Sequence, residues 1–465
     1  MSTLIKNGTI VTSEGEYKAD VLIDGEKIVE IGMNLDGKAD ETIDASGKYI
    51  LPGGIDNHTH FGMPFMGTYT AGCENSHSAL VGGTTTVIDF VPQEVGTGLI
   101  DAAKKHKAEK FDGICSPDYA LHAMVMDVTE EMYNDIKKLP EIGISTIKLF
   151  MAYKTSVYYC DDSIVYRAMK SAKEVGVTLM VHAESADIIE MLQKDCADAG
   201  QLDPKYHAVS RPPIVETECI QRAIVLSDLT ETPIFIVHVS AKEAMATLRD
   251  AAAHGTEIYG ETCPQYICLD VANLSKPGFE GAKYICSPAI RTPDHHEAIL
   301  EAIQKGWLQV FASDNAAFNF KGQKEMGLGD FRKVPNGAPG VQHRMHALWT
   351  HGVATGKVSK SRFVDVCSTA PAKFNGIYPQ KGAILVGADA DILIWDPDYK
   401  GTISIKDTFE GVDYTPYEGQ DQIGRADKVF LRGKLMAEKG QMVGPKGEGK
   451  YIEQKPYGAA YQGGV

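Results

Sequence analysis

Two histidines stand two residues apart in Gly53-Gly54-Ile55-Asp56-Asn57-His58-Thr59-His60, just after an apolar run, Tyr49-Ile50-Leu51-Pro52. On a strand, residues i and i+2 point to one face. His58 and His60 could therefore reach one metal ion together, each through a neutral ring nitrogen. The plainer alternative is a strand end with two incidental histidines. Three more groups have a similar setting. His182 follows Leu179-Met180-Val181, His238 follows Phe235-Ile236-Val237, and Asp314 follows Val310-Phe311-Ala312-Ser313. Each, alone, reads more simply as a hydrogen-bonded core or loop residue. As a set, all at strand ends, they are hard to explain as coincidence.

Lys148, within Ser145-Thr146-Ile147-Lys148-Leu149-Phe150-Met151, is the odd member. A lysine on a strand is commonly paired to a carboxylate, and a free ammonium repels cations. An apolar setting, however, lowers a lysine pKa and raises the neutral amine fraction. A neutral amine can add carbon dioxide to give a carbamate. That anion has two oxygens and could bridge two cations.

Residues so far apart need a scaffold that gathers them. From about residue 53, short apolar strands alternate with longer stretches of helical spacing. Eight candidate strands lie near 54–56, 85–90, 119–126, 146–150, 178–181, 234–237, 257–260 and 309–312. Between them, 163–174, 241–253 and 296–305 carry apolar residues at helical intervals. Eight such units predict a (β/α)8 barrel over 53–377, whose chemistry sits at the C-terminal strand ends.

Residues 1–52 read as short strands and turns, with hairpin signals at Asn7-Gly8 and Asp24-Gly25. The β pattern returns over 378–440, with strands expected at 382–387, 390–395 and 429–433. We expect the two ends to complete one smaller β-sandwich domain. Residues 441–465 are rich in Gly, Lys and Tyr and read as a tail, either an oligomer contact or loose.

The chain has 465 residues, 43% hydrophobic and 23% charged, which suits a globular protein with one large and one smaller domain. Its net charge of -16 argues against nucleic acid or an anionic membrane surface, since both need a basic footprint. Nine dispersed cysteines without a CxxC pair read as reduced thiols in a cytoplasmic protein. No signal-peptide core and no run of membrane-spanning length is expected from the pattern.

The chain resembles the amidohydrolase superfamily, and within it the cyclic amidases of the dihydropyrimidinase and hydantoinase branch. The matching stretches are the 53–60 segment, Gly82-Gly83-Thr84-Thr85, Lys148-Leu149-Phe150-Met151-Ala152-Tyr153-Lys154 and Val181-His182-Ala183-Glu184. Further matches are Gly260-Glu261-Thr262-Cys263-Pro264-Gln265-Tyr266, Phe320-Lys321-Gly322-Gln323-Lys324-Glu325 and Pro335-Asn336-Gly337. The resemblance implies a binuclear site, most often zinc. His58, His60 and Asp314 would hold one ion, His182 and His238 the other, with carboxylated Lys148 and a hydroxide between them. It implies hydrolysis of a cyclic amide, either a dihydropyrimidine or a 5-substituted hydantoin, giving an N-carbamoyl amino acid. Asp314 would carry the proton, Tyr153 would stabilise the oxyanion, and Ser287 and Asn336 would hold the imide edge of the ring. It also implies a homo-oligomer, since this family often forms tetramers.

Met63, Phe65, Tyr158 and Tyr159 lie in loops after the first and fourth strands and could form an apolar patch for substrate side chains; plain packing explains them nearly as well. Asn57 and Asn315-Ala316-Ala317 depart from the usual family wording beside the metal ligands, which puts the ring substituent in doubt. An allantoinase or dihydroorotase is the rival within the family. Dihydroorotase would want a basic group for a substrate carboxylate, and no arginine is clearly placed for it. A non-catalytic scaffold of the same fold, as in the collapsin-response relatives, is the rival outside enzymes. Those relatives have lost metal ligands, whereas all six are present in this chain.

Overall fold

Eight parallel strands follow one another around a single sheet in chain order. They are β1 (Gly54–Thr59), β2 (Thr84–Pro92), β3 (Asp118–Met124) and β4 (Thr146–Phe150), then β5 (Thr178–His182), β6 (Ile234–Ile236), β7 (Ile258–Thr262) and β8 (Val310–Phe311). The computed structural model describes residues 2–456. The sheet closes on itself just past β8. His60 N–H donates to the Asn315 carbonyl at 2.9 Å, and Asn315 N–H donates to the His58 carbonyl at 3.3 Å. The result is a (β/α)8 barrel. Helices Asp162–Lys173, Lys242–Ala253 and Pro293–Lys305 lie close to where the apolar spacing predicts them.

Strand alternation sorts the barrel's two layers. On β4, Ile147 and Leu149 join the large cluster shared with the helices, while Phe150 joins the cluster that fills the lumen. On β5, Leu179 and Val181 face outward and Met180 inward; on β6, Ile234 and Ile236 face outward and Phe235 inward. The lumen is sealed at its lower end by Phe374, whose ring lies 4.3 Å from that of Phe235. Close approach explains the glycine pair opening β1. A Cβ on Gly53 would lie 2.1 Å from the Thr85 hydroxyl, and one on Gly54 would lie 2.7 Å from the Arg344 guanidinium.

The chain ends build a β-sandwich. Ile392–Thr402 pairs antiparallel with Tyr49–Pro52, Leu393 opposite Leu51, within a seven-stranded sheet. A four-stranded sheet covers it, and Ile5, Val21 and Ile28 meet Ile50, Ile392 and Phe430 between the two.

Three local expectations differ from the structure. Asn7-Gly8 is a crossing between sheets, not a hairpin: Ser2–Lys6 pairs with Asp20–Asp24, while Thr9–Val11 pairs with Glu16–Lys18. Gly8 is there because a Cβ would lie 2.7 Å from the Ile50 side chain. Residues 382–387 form no strand, only irregular chain ending in a turn. Residues 449–455 run along this chain's own barrel. Gly449 N–H bonds the Cys115 carbonyl, Ile452 N–H the Tyr119 carbonyl and Gln454 N–H the Gly143 carbonyl, at 2.8, 2.8 and 2.9 Å. Residues 457–465, the rest of the expected tail, lie outside the described residues.

Candidate metal centre

β1 delivers His58 and His60 to the upper lumen, as their spacing predicts. His58 Nε2 lies 3.1 Å from His60 Nε2 and 3.1 Å from Asp314 Oδ1, which is 3.6 Å from His60 Nε2. These three ligand atoms lie within 4.8 Å of one another, and all three residues are buried. Beside them, His182 Nδ1 lies 3.0 Å from His238 Nε2. The rings of His58 and His238 are 5.5 Å apart, so the two groups adjoin.

The donor set suits metals. Glu261 engages His58 Nδ1, which leaves Nε2 facing His60 and Asp314. Glu184 accepts from His182 Nε2 at 2.7 Å, which leaves Nδ1 facing His238. Burial holds His58 and His238 well below the ordinary imidazole range, so both rings are neutral, the state a metal binds. Burial also opposes charge on Glu184, but Arg211 and His182 outweigh it and bring its carboxyl down to about 2. Arg211 donates to that carboxylate at 2.7 Å. Neither Glu184 nor Glu261 received a role from the sequence, although both stand inside the distinctive stretches.

Lys148 is fully buried. Its Nζ lies 4.8 Å from the Phe90 ring centre and 5.0 Å from that of Phe150. Among the described residues no carboxylate comes within ion-pair distance of it, so the paired-lysine alternative fails. Burial, against the raising effect of Asp314 and Glu261, brings its amine down to about 8. A useful fraction of neutral amine is therefore present near neutral pH.

Three site residues have left-handed backbone: Tyr153 at φ 62°, His238 at φ 43° and Asp314 at φ 51°. Such conformations cost about 1–2 kcal/mol each in residues with a side chain. They persist where the fold over-determines them, and here they cluster at one end of the barrel.

The cavity over the ligands is lined by His58, His60, Lys148, His182, His238 and Asp314 below. Its walls are Met63, Phe65, Phe150, Tyr153, Tyr158, Ser287, Ala316, Asn336 and Gly337. Asn336 Nδ2 donates to Ser287 Oγ at 2.9 Å, and both side chains stand against the Tyr153 hydroxyl. The cavity is narrow, about 40 Å³, and adjoins a wider one of about 540 Å³ that shares Phe65, Tyr153, Tyr158 and Asn336.

Tyr159 does not line it. Tyr158, at the end of a turn, takes the inward place with its hydroxyl donating to the Pro64 carbonyl at 2.7 Å, while Tyr159 bridges to Phe150. Asn57 does not line the cavity either. It is wholly buried, donates to Glu261 at 3.2 Å and accepts from Asn375 at 2.7 Å. Of the 315–317 stretch, only Ala316 reaches the cavity, while Asn315 closes the barrel. Arg211 does stand at the outer cavity, but it is committed to Glu184.

The chain matches known proteins over nearly its whole length. The amidohydrolase family matches over residues 49–436. A D-hydantoinase of Geobacillus stearothermophilus is 44% identical over 462 residues, 99% of this chain and 98% of that one. A dihydropyrimidinase of Arabidopsis thaliana is 37% identical, over 99% of this chain and 87% of that one. The solved dihydropyrimidinase of Brevibacillus agri NCHU1002 superposes with a TM-score of 0.96 at 43% identity, over 98% of this chain and 99% of that one. The chain therefore belongs to the amidohydrolase family, in the branch of the hydantoinases and dihydropyrimidinases.

Proposed function

We propose that the protein is a binuclear-metal hydrolase that opens cyclic amides, dihydropyrimidines or 5-substituted hydantoins, to N-carbamoyl amino acids. The observation that carries this reading is the meeting of five ligand side chains and a buried, unpaired lysine on one cavity floor. His58, His60 and Asp314 would hold one divalent ion, which we take as zinc, and His182 and His238 a second. Lys148, carboxylated on its neutral amine, would serve both. The chemistry such ions supply when bound is Lewis acidity towards a carbonyl and a lowered pKa for water.

The chain's own groups complete the reaction. Asp314 takes a proton from the attacking water and delivers it to the ring nitrogen as the C–N bond breaks. Tyr153 donates its hydroxyl to the developing oxyanion. Burial raises that phenol above its ordinary range, so the hydroxyl keeps its proton. Ser287 and Asn336, beside the Tyr153 hydroxyl, hold the amide edge of the ring and fix the carbonyl above the floor. Met63, Phe65 and Tyr158 form the apolar wall against which a ring substituent packs. The full ligand set speaks against the scaffold reading.

We also take the protein to be a cytoplasmic homo-oligomer, in line with a tetramer. Exposed apolar residues, Ile188, Met191 and Ile214 among them, support association. No helix among the described residues is long and apolar enough to cross a membrane. Metal analysis beside an assay on hydantoin and dihydrouracil tests the main reading. Two equivalents of metal with ring opening are expected. Metal-replete protein that opens neither ring, nor allantoin nor dihydroorotate, would overturn it.

A further inference from the structure

The stretch Phe320-Lys321-Gly322-Gln323-Lys324-Glu325 is distinctive in the sequence, yet none of its residues lines the catalytic cavity. Lys324 is fully buried, and no carboxylate pairs with it among the described residues. Its Nζ donates to three backbone carbonyls: Ile285 at 2.8 Å, Pro335 at 2.7 Å and Gly337 at 2.6 Å. The first stands two residues before Ser287, and the other two flank Asn336. Gly337 N–H also donates to the Ile285 carbonyl at 3.0 Å, so the two loops cross at this point. The neighbouring Gln323 reaches the other way. Its amide donates to Thr68 Oγ1 at 2.6 Å and to the Tyr69 carbonyl at 2.7 Å, on the hairpin that carries Phe65.

We propose that Lys324 is a positioning residue, an internal cation that ties the loops bearing Ser287 and Asn336 into the register substrate recognition needs. Three carbonyl dipoles converge with their negative ends on one buried point. Left alone they would repel each other and lack partners. An ammonium offers three N–H donors and no acceptor, which matches three carbonyls. Burial pulls the Lys324 amine down to about 7, while the three carbonyls facing it favour the charged form. The inference rests on the cyclic-amidase reading for what the loops bind, but not for how they are held.

Lys324→Met and Lys324→Ala test it. In Lys324→Met, metal content stays at the wild-type value and KM for the ring substrate rises about tenfold or more, with a smaller change in kcat. Amide hydrogen exchange rises in peptides covering 285–288 and 335–338 and stays unchanged over 58–60. In Lys324→Ala, ammonium ion enters the vacated carbonyl cage and lowers KM again, whereas tetramethylammonium, too large, does not. Unchanged KM and exchange would overturn the proposal. So would exchange rising uniformly with loss of metal, which is the mark of a merely structural lysine. Should Lys324→Met not fold, the ammonium response of Lys324→Ala decides, and its absence counts against the proposal. Wild-type enzyme inert on every ring amide would sink the amidase reading, while the exchange data would still judge Lys324.

Discussion

In the proposed function Lys148 differs from the other cavity-floor residues because its role there would depend on losing a proton. Its pocket supplies two aromatic rings and no paired carboxylate, so the neutral amine is reachable at the pH of the cell. Lys148→Ala should therefore lose bound metal and activity together, with partial recovery in a short carboxylic acid that can occupy the space of the carbamate. Atomic absorption and turnover on the same sample check this, and full activity in the variant would rule out the bridging role. In the proposed reaction Asp314 would do two jobs, as ligand and as proton carrier. Asp314→Asn should keep the fold but lower kcat by about 100-fold or more, since proton transfer is worth about 10²–10⁴. Circular dichroism with initial rates separates the two effects, and an unchanged rate would count against the shuttle.

Elements place these residues through strand alternation and through the supports at the barrel's lower end. The segment 449–455 is one such support. Gln454 is buried, accepts from Ser145 N–H just before β4 at 2.9 Å and donates to Asn375 at 2.9 Å. Asn375 holds Asn57, and Asn57 holds Glu261, which orients His58. Gln454→Ala would strand a buried N–H and a buried carbonyl, at about 1–3 kcal/mol for each. Thermal unfolding should therefore shift down by several degrees. A variant melting with the wild type would show that this segment rests on the barrel without supporting it. Nothing in the local sequence of 449–455 marks this role, because its partners are distant along the chain: Asn375, and a stretch more than 300 positions earlier, at 115–145.

The whole molecule buries histidines that must stay neutral. His207 and His346 are brought down to about 3 and His343 to about 4. Burial is the main cause in each, and the Arg211 charge adds to it at His207. All three lie below the ordinary 6.5, so between those limits the unfolded chain binds more protons than the native one. Their stabilising contribution is complete above about pH 6.5 and is lost as pH falls, at about 1.4 kcal/mol per pH unit for each histidine. Through these rings the melting temperature should decline between about pH 6 and 4.5, before most carboxylates titrate. Scanning calorimetry across that range checks it, and a flat profile would show that these rings protonate in the folded protein.

The amino-acid order alone determined which side chains could bind metal and most of the strands that carry them. Period-two alternation put Lys148 and His182 on the lumen side of β4 and β5, and the same spacing paired His58 with His60. Asp314 keeps step with Val310 and Ala312, but it stands beyond β8 on left-handed backbone at φ 51°. His238 is different. Counting from Phe235 and Val237, which face inward, alternation would send it outward. A left-handed turn at φ 43° brings it back to His182. Tyr158 and Tyr159 were likewise inseparable until the bond to Pro64 chose one of them. Periodicity is local and survives in any single strand. Backbone turns, buried hydrogen-bond chains and the carbonyl cage around Lys324 exist only once distant segments are packed together.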